Sequence, residues 1–394
     1  MYTRSTFKTD FFLPMEPIMI FCLLFFIIFC LRKLVFQKRE ACCYMMAYEC
    51  YKAPADRKLD TDTCARIVLR SKNLGLQEYK FLLETIVSSG IGEETCGTRN
   101  VISGHEDSPT LKDSISEMDD LIFDTLDKLF ATTGNISPSE IDILVVNVSL
   151  FSPAPSLTAR VVNRYKMRSN VKTFNLSGMG CSASIVAIDL VQHLFKRLLN
   201  ALHKQQCFKT SSYLQIETCR ALFTANLRVL LPKLLPLSEQ LRYVYVSRQQ
   251  NKTKRNSLQE MGAGLNLKTG VDHFCVHPGG RAIIDEAGKS LSLSNCDLEP
   301  ARMALLRFGN KSAGGLWYVL AYVEAKQRLK RCNKILMISL GAGFKCNNCV
   351  FEVMRDLKDA KDSRDQYPPE TTVNPFIEKY SWVNDEYLSF VRFQ

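Results

Sequence analysis

Apolar positions along the first half of the chain follow two alternating periods. Leu111–Thr132 carries apolar residues three and four positions apart, as one face of an amphipathic helix does. Ile143–Val148 is an unbroken apolar run of strand length, which is typical of a parallel strand covered on both faces. Ser156–Arg168 is then helical in pattern, Val171–Leu176 is strand-like, and Ser182–Leu199 is a strongly apolar helix. This alternation predicts an α/β fold with a parallel sheet.

The same alternation returns in the second half. His273–Val276 and Ile335–Leu340 have the apolar character of strands, and Arg281–Leu291 and Leu316–Lys330 have that of helices. A chain of 394 residues exceeds the size of one ordinary core. Two α/β units are therefore expected.

A continuous apolar run, Ile18–Leu31, lies near the N-terminus. It is shorter than the roughly 20 residues of a membrane span, but the flanking basic side chains can reach the headgroups and lengthen it. A signal peptide is the alternative, although Asp10 and Glu16 interrupt the positive segment that it needs and no small-residue cleavage site follows. We expect residues 1–40 to be a membrane anchor, with the basic residues after the run leaving the rest of the chain in the cytosol.

Charge and cysteine content narrow the class of protein. The net charge of +11 suits a membrane surface or an anionic ligand, and no zinc-finger spacing or basic repeat indicates a nucleic-acid partner. The 15 cysteines are scattered, which in a chain of this length indicates reduced intracellular thiols. Cys346 and Cys349 form a Cys-x-x-Cys pair without a second pair at zinc spacing, so a structural role is favoured over metal or redox use.

Three residue types that suit acyl transfer stand beside glycines at predicted strand ends. Cys181 lies among small residues just before a predicted helix, where unpaired N–H groups and the helix dipole favour a thiolate. A buried packing cysteine is the alternative. His277 follows a strand and precedes two glycines, and Asn310 follows a glycine before a helix. A thiolate, an imidazole and a carboxamide together indicate a thioester intermediate with a stabilised oxyanion.

Longer stretches resemble the plant 3-ketoacyl-CoA synthases, the condensing enzymes of very-long-chain fatty acid elongation. The resemblance spans roughly residues 41–355 and rests on several separate motifs, which include Tyr48–Pro54, Ser88–Thr95, Ile143–Leu157, Gly178–Ala183, His273–Ala282, Phe308–Asn310 and Gly341–Asn347. It implies a thiolase-like fold of two duplicated α/β halves that works as a homodimer. Residues 41–245 would form the N-terminal half with the nucleophile, and residues 246–355 the C-terminal half with the His and the Asn.

The resemblance also implies a separate catalytic role for each of the three site residues. Cys181 would take the acyl chain from acyl-CoA as a thioester. His277 and Asn310 would then bind the thioester carbonyl of malonyl-CoA, and loss of CO2 would give an enolate that attacks the acyl-enzyme. No cofactor beyond the CoA thioester substrates and no metal is implied.

Supporting roles follow from the same resemblance. The backbone N–H groups of Cys181 and of Gly341 or Gly343 would form an oxyanion hole. His273 would lie just behind the catalytic side chains and support them without touching the substrate. The expected partners are the other elongase subunits and the endoplasmic reticulum membrane, with the catalytic part facing the cytosol.

The chain departs from the family pattern after Leu199, because a strand, a lid-like insert and a hairpin are missing before similarity resumes near Thr218. This apparent internal deletion predicts an incomplete N-terminal half with an exposed apolar sheet edge. An inactive paralogue or a truncated gene model, acting as a binding partner in the elongase complex, is therefore the alternative. A papain-like cysteine hydrolase, which shares the order Cys, His, Asn, is a further alternative with a different local Cys signature. Residues 356–394 are expected to form a tail.

Overall fold

The computed structural model describes residues 21, 24–29, 43–71, 74–134, 136–202, 234–243, 245, 266–341 and 345–356. Most of the predicted anchor, the segment of the apparent deletion and the predicted tail lie outside these ranges. In the described part of the chain, no helix combines the length and the hydropathy that crossing a membrane requires.

Residues 24–29 are helical. In the described residues, four helices then lie between residue 43 and the first strand: α1 (Thr61–Arg70), α2 (Leu76–Ser88), α3 (Arg99–Ser103) and α4 (Leu111–Thr133). The periodicity placed α4 correctly. It begins at a capping box, in which the hydroxyl of Thr110 accepts from the N–H of Asp113 while the Asp113 carboxylate accepts from the N–H of Thr110.

A parallel pair of strands forms the described sheet of the N-terminal half. Ile143 of β1 (Ile143–Asn147) lies opposite Lys172 of β2 (Lys172–Leu176), and α5 (Leu157–Tyr165) connects the two strands. Every residue of β1 is half-buried, with no alternation between a buried and an exposed face, so both of its faces are partly covered, in line with the prediction. Within the described residues β1 pairs with β2 alone.

The second half holds a three-stranded sheet of order β3-β4-β5. The strand β3 pairs in parallel with β4, and β4 pairs antiparallel with β5. The bounds of the elements of this half, in chain order, are β3 (His273–Val276), α7 (Arg281–Leu291), α8 (Asn295–Phe308), α9 (Gly315–Ala325), β4 (Lys334–Gly341) and β5 (Lys345–Glu352).

The buried core of the second half surrounds α9, which is apolar along nearly its whole length. Side chains of α8, β3 and β4 pack with it, and Phe274, Leu305 and Leu336 among them are 2% exposed or less. The Tyr322 hydroxyl donates to the Glu299 carboxylate at 2.5 Å, which satisfies the polar end of a buried ring. This core supports the carboxyl ends of β3 and β4, where His277 and Gly341 lie.

The Cys-x-x-Cys pair lies on β5. Residues three apart on a strand point to opposite faces, so Cys346 and Cys349 cannot bind one ion together. Burial raises the pKa of the Cys349 thiol to about 12, which keeps it protonated. Both cysteines therefore have the structural role that the sequence favoured.

Candidate active site

Cys181 lies in a tight turn between β2 and the long helix α6 (Ala183–Leu202). Gly178 and Gly180 have φ values of +69° and +60°, the left-handed region that a glycine enters without steric cost. The turn ends in one 3-10 turn, Gly180–Ser182, directly before the helix. The predicted place of Cys181 at the start of a helix is confirmed, and the residue is half-buried rather than sealed in the core.

The end of β4 holds this turn in place. The buried Ser339 hydroxyl donates to the backbone carbonyl of Cys181 at 2.7 Å. A Cβ atom at Gly341 would lie 2.8 Å from Ser182 Oγ and 3.0 Å from Ser182 N, so a side chain there would displace the turn. Gly341 is thus in backbone contact with the predicted nucleophile turn, and Gly343 lies outside the described residues.

His277 directly follows β3, and its N–H donates to the carbonyl of Ile338 at 2.9 Å on the neighbouring strand. The residue is 1% exposed. Burial lowers the pKa of the imidazole to about 4, so the ring is neutral at physiological pH and carries one N–H donor. Its Nδ1 atom has no hydrogen-bond partner in the described part of the chain.

Asn310 lies between the loop after His277 and the serine that contacts the cysteine. Its Nδ2 donates to the carbonyl of Gly279 at 3.2 Å, two residues beyond His277. Its Oδ1 accepts from the N–H of Ser312 at 2.8 Å, and the Ser312 hydroxyl donates to Cys181 Sγ at 3.5 Å. Hydrogen bonds therefore connect Asn310 to Cys181 through Ser312, and to the backbone of His277 through Gly279, whose N–H donates to the His277 carbonyl at 2.8 Å.

His273 lies apart from that set. It begins β3, whereas His277 follows its other end, and four residues of strand correspond to roughly 13 Å. Its Nε2 is 3.3 Å from Asn333 Oδ1. The expectation that His273 lies just behind the catalytic residues and supports them finds no support in this position.

Sequence reasoning missed three serines around the turn. Ser312 and Ser339 donate to Cys181, and Ser184, on the helix that follows, donates to the carbonyl of Ala313 beside Ser312. Ser339 had a readable signal, because it is a polar residue near the carboxyl end of an otherwise apolar strand. Ser184 and Ser312 had no such signal in the sequence, because their contacts depend on how the N-terminal half packs against the C-terminal half.

The buried His277 makes the stability of the fold depend on pH. Its pKa is about 4 in the folded chain and about 6.5 when unfolded, so between these values the unfolded state binds more protons. We expect the free energy of unfolding to fall by about 3 kcal/mol from this residue as pH drops from 7 to 4, and this loss to level off about one pH unit below 4. Urea unfolding at a series of pH values measures this fall.

The control for that measurement is His277→Gln, which cannot titrate. Its unfolding free energy should decline less on acidification than that of the natural chain. The gap between the two proteins should change mainly as the pH is lowered from 6.5 to 4. Identical pH dependence of the two proteins would contradict a buried, neutral His277.

Two family models match the chain. The FAE1/Type III polyketide synthase-like protein family matches residues 35–204, and the C-terminal domain of chalcone and stilbene synthases matches residues 246–355. The chain is 50% identical to 3-ketoacyl-CoA synthase 19 of Arabidopsis thaliana, over 93% of this chain and 96% of that protein. The chain belongs to the 3-ketoacyl-CoA synthase family. It is also 40% identical to 3-ketoacyl-CoA synthase 12 of the same plant, over 92% of this chain and 95% of that protein.

Solved structures confirm the thiolase-like α/β fold that is expected of this family. The polyketide synthase PKS-I of the brown alga Ectocarpus siliculosus superposes with a TM-score of 0.52, at 16% identity, over 78% of this chain and 97% of that one. The 1,3,6,8-tetrahydroxynaphthalene synthase of Streptomyces coelicolor gives 0.51 at 14% identity, over 78% and 99%. Membership of the family excludes the papain-like hydrolase alternative.

The alignment with synthase 19 also bears on the apparent deletion. It is 447 positions long, whereas 93% of this 394-residue chain is about 366 residues, so about 80 positions hold no residue of this chain. The segment after Leu199, where the sequence predicts the loss, falls mostly outside the described residues. The internal deletion therefore stays a prediction.

Proposed function

We propose that this chain condenses an acyl-CoA with malonyl-CoA to give a 3-ketoacyl-CoA, with release of CO2 and CoA, in very-long-chain fatty acid elongation. One observation carries the proposal: Ser312, whose N–H is held by Asn310, contacts Cys181 Sγ, and the amide of Asn310 also donates to the loop directly after His277. A non-catalytic binding partner would have no need of that arrangement, and 50% identity to a named synthase supports an enzyme.

The first half-reaction loads the nucleophile. The Cys181 thiolate attacks the thioester carbonyl of acyl-CoA, a tetrahedral oxyanion forms, and CoA leaves as a thiolate that takes up a proton. The N–H groups of Cys181 and of Gly341 or Gly343 serve this oxyanion. Contact between Gly341 and the turn supports that role. Each such donor typically lowers the activation free energy by about 3 kcal/mol.

The second half-reaction makes the carbon–carbon bond. The thioester carbonyl of malonyl-CoA accepts hydrogen bonds from the imidazole N–H of His277 and the amide of Asn310. Loss of CO2 leaves its electron pair as an enolate, whose carbon attacks the acyl-Cys181 thioester and expels the Cys181 thiolate. A neutral His277 suits this step because it donates a hydrogen bond without trapping the enolate as an ion pair.

The setting of the reaction is part of the proposal. Residues 1–40 anchor the chain in the endoplasmic reticulum membrane, with the catalytic part facing the cytosol. The apolar run Ile18–Leu31 and the basic residues that follow it support this. The chain works as a homodimer beside the other elongase subunits, which act on the 3-ketoacyl product.

The test is elongation by microsomes that carry the full chain. With a saturated acyl-CoA series and radiolabelled malonyl-CoA, we expect labelled 3-ketoacyl-CoA that depends on both substrates and exceeds the vector control. Microsomes in which immunoblotting shows the chain, but in which no product exceeds that control for any chain length, would reject the proposal.

A further inference from the structure

The Ser312 hydroxyl is placed between the nucleophile and a second serine. Its oxygen is 3.5 Å from Cys181 Sγ and 3.2 Å from the Oγ of Ser149. Ser149 follows β1 in the N-terminal half, and Ser312 precedes α9 in the C-terminal half. The three side chains therefore form a row that crosses between the halves and ends on the sulfur.

The backbone fixes this row from both sides. Ser312 has φ of +51°, an unusual conformation for a non-glycine residue, and its N–H is held by Asn310 Oδ1 at 2.8 Å. The next carbonyl, of Ala313, accepts from the buried Ser184 hydroxyl on the helix that follows Cys181. The Ser149 carbonyl accepts from the N–H of Gly178 at 3.0 Å in the cysteine turn. Each serine is thus tied to the segment that carries the sulfur.

We propose that Ser312 is a catalytic residue that stabilises the Cys181 thiolate by donating its hydroxyl hydrogen to the sulfur. A hydroxyl has one hydrogen and two lone pairs, so once Ser312 donates to the sulfur its oxygen accepts from Ser149. Bonds in such a row strengthen one another, and a charged acceptor shortens them further. The inference rests on the proposed role of Cys181 as the nucleophile.

The thiolate forms twice in each cycle, first before it attacks acyl-CoA and again when the enolate expels it. A donor fixed on the sulfur lowers the free energy of the thiolate on both occasions. The proton that the thiol loses passes to solvent, and Ser312 keeps its own hydrogen throughout. The opposite orientation, in which the thiol donates to Ser312 and Ser312 donates to Ser149, would favour the thiol. The two orientations predict opposite effects when the hydroxyl is removed.

The test measures how fast iodoacetamide alkylates Cys181 between pH 5 and 10, by mass spectrometry of its peptide from the full chain in detergent. Ser312→Gly and Ser312→Ala both remove the hydroxyl, and glycine also tolerates the positive φ. We expect the midpoint of the profile to rise by about one pH unit in both, which is about tenfold slower alkylation below the midpoint. Ser149→Ala should give a smaller rise.

Two controls separate this effect from others. Ser292→Gly makes the same change at an exposed serine with φ of +54°, and its midpoint should stay where it is. Alkylation of the exposed Cys296, followed in the same digest, corrects for the concentration of iodoacetamide and for errors in the pH of each sample. If removal of the Ser312 hydroxyl only gave iodoacetamide easier access to the Cys181 sulfur, the plateau rate at high pH would change and the midpoint would not.

An unchanged or lowered midpoint in both Ser312 variants would overturn the inference, as would an equal rise in Ser292→Gly. Because alkylation requires no condensation, a raised midpoint in a chain that elongates nothing would uphold the role of Ser312 and reject only the proposed function.

Discussion

Replacement of Cys181 by alanine is expected to reduce 3-ketoacyl-CoA formation at least a thousandfold, to the level of the vector control, because no other group can carry the acyl thioester. The fold should be kept. The hydrogen bond from Ser339 reaches the backbone carbonyl of Cys181, and alanine leaves that bond intact. Radiolabelled malonyl-CoA measures the product, and intact-protein mass spectrometry measures the acyl adduct.

The matched control is Cys296→Ala, which removes an exposed thiol far along the chain on α8. It should leave both the product and the acyl adduct unchanged. An acyl adduct on the Cys181→Ala protein, or elongation above one tenth of the natural rate, would mean that another residue is the nucleophile.

Replacement of His277 by alanine is expected to slow condensation by 100- to 1000-fold, the usual cost of one lost donor to a developing oxyanion. Loading of Cys181 should survive, because His277 enters only when malonyl-CoA is decarboxylated. The acyl-enzyme should therefore accumulate when acyl-CoA is added with malonyl-CoA. Product formation and the acyl adduct, followed in the same samples, measure the two half-reactions separately.

His273→Ala is the paired control, since His273 lies at the far end of the same strand and contacts Asn333. Its rate should stay within about twofold of the natural chain, as expected for a change outside the site. A loss as large as that of His277→Ala would show that the assignment of the two histidines is wrong, and failure of His277→Ala to load acyl chains would place His277 in the first half-reaction.

Local patterns were sufficient for several elements. The strand His273–Val276 and the helix Arg281–Leu291 have the predicted bounds, because burial imposes a clear period on both. The helix Asn295–Phe308 was missed, since Pro300 lies inside it and its apolar face is weak. Its capping box, Ser294 with Asp297, is the signal that could have found it.

Other features depend on partners that no local pattern reveals. The strand β5 contains two asparagines, which are poor strand formers, and it exists because every residue pairs with β4. For the site, the position of Cys181 before a helix followed from the residues, but its meeting with His277 and Asn310 came from family resemblance. The contacts of Ser312 and Ser339 with Cys181 join positions 131 and 158 residues apart, beyond the reach of any periodicity.

The bonds that hold the Cys181 turn come largely from the opposite half of the molecule: a hydroxyl on β4, a glycine at the end of that strand, and the loop before α9. Reactivity at the sulfur is therefore a property of the docked pair and belongs to neither half alone. We expect substitutions in the C-terminal interior that shift β4 or the loop before α9 to lower the reactivity of Cys181 even when the protein accumulates normally.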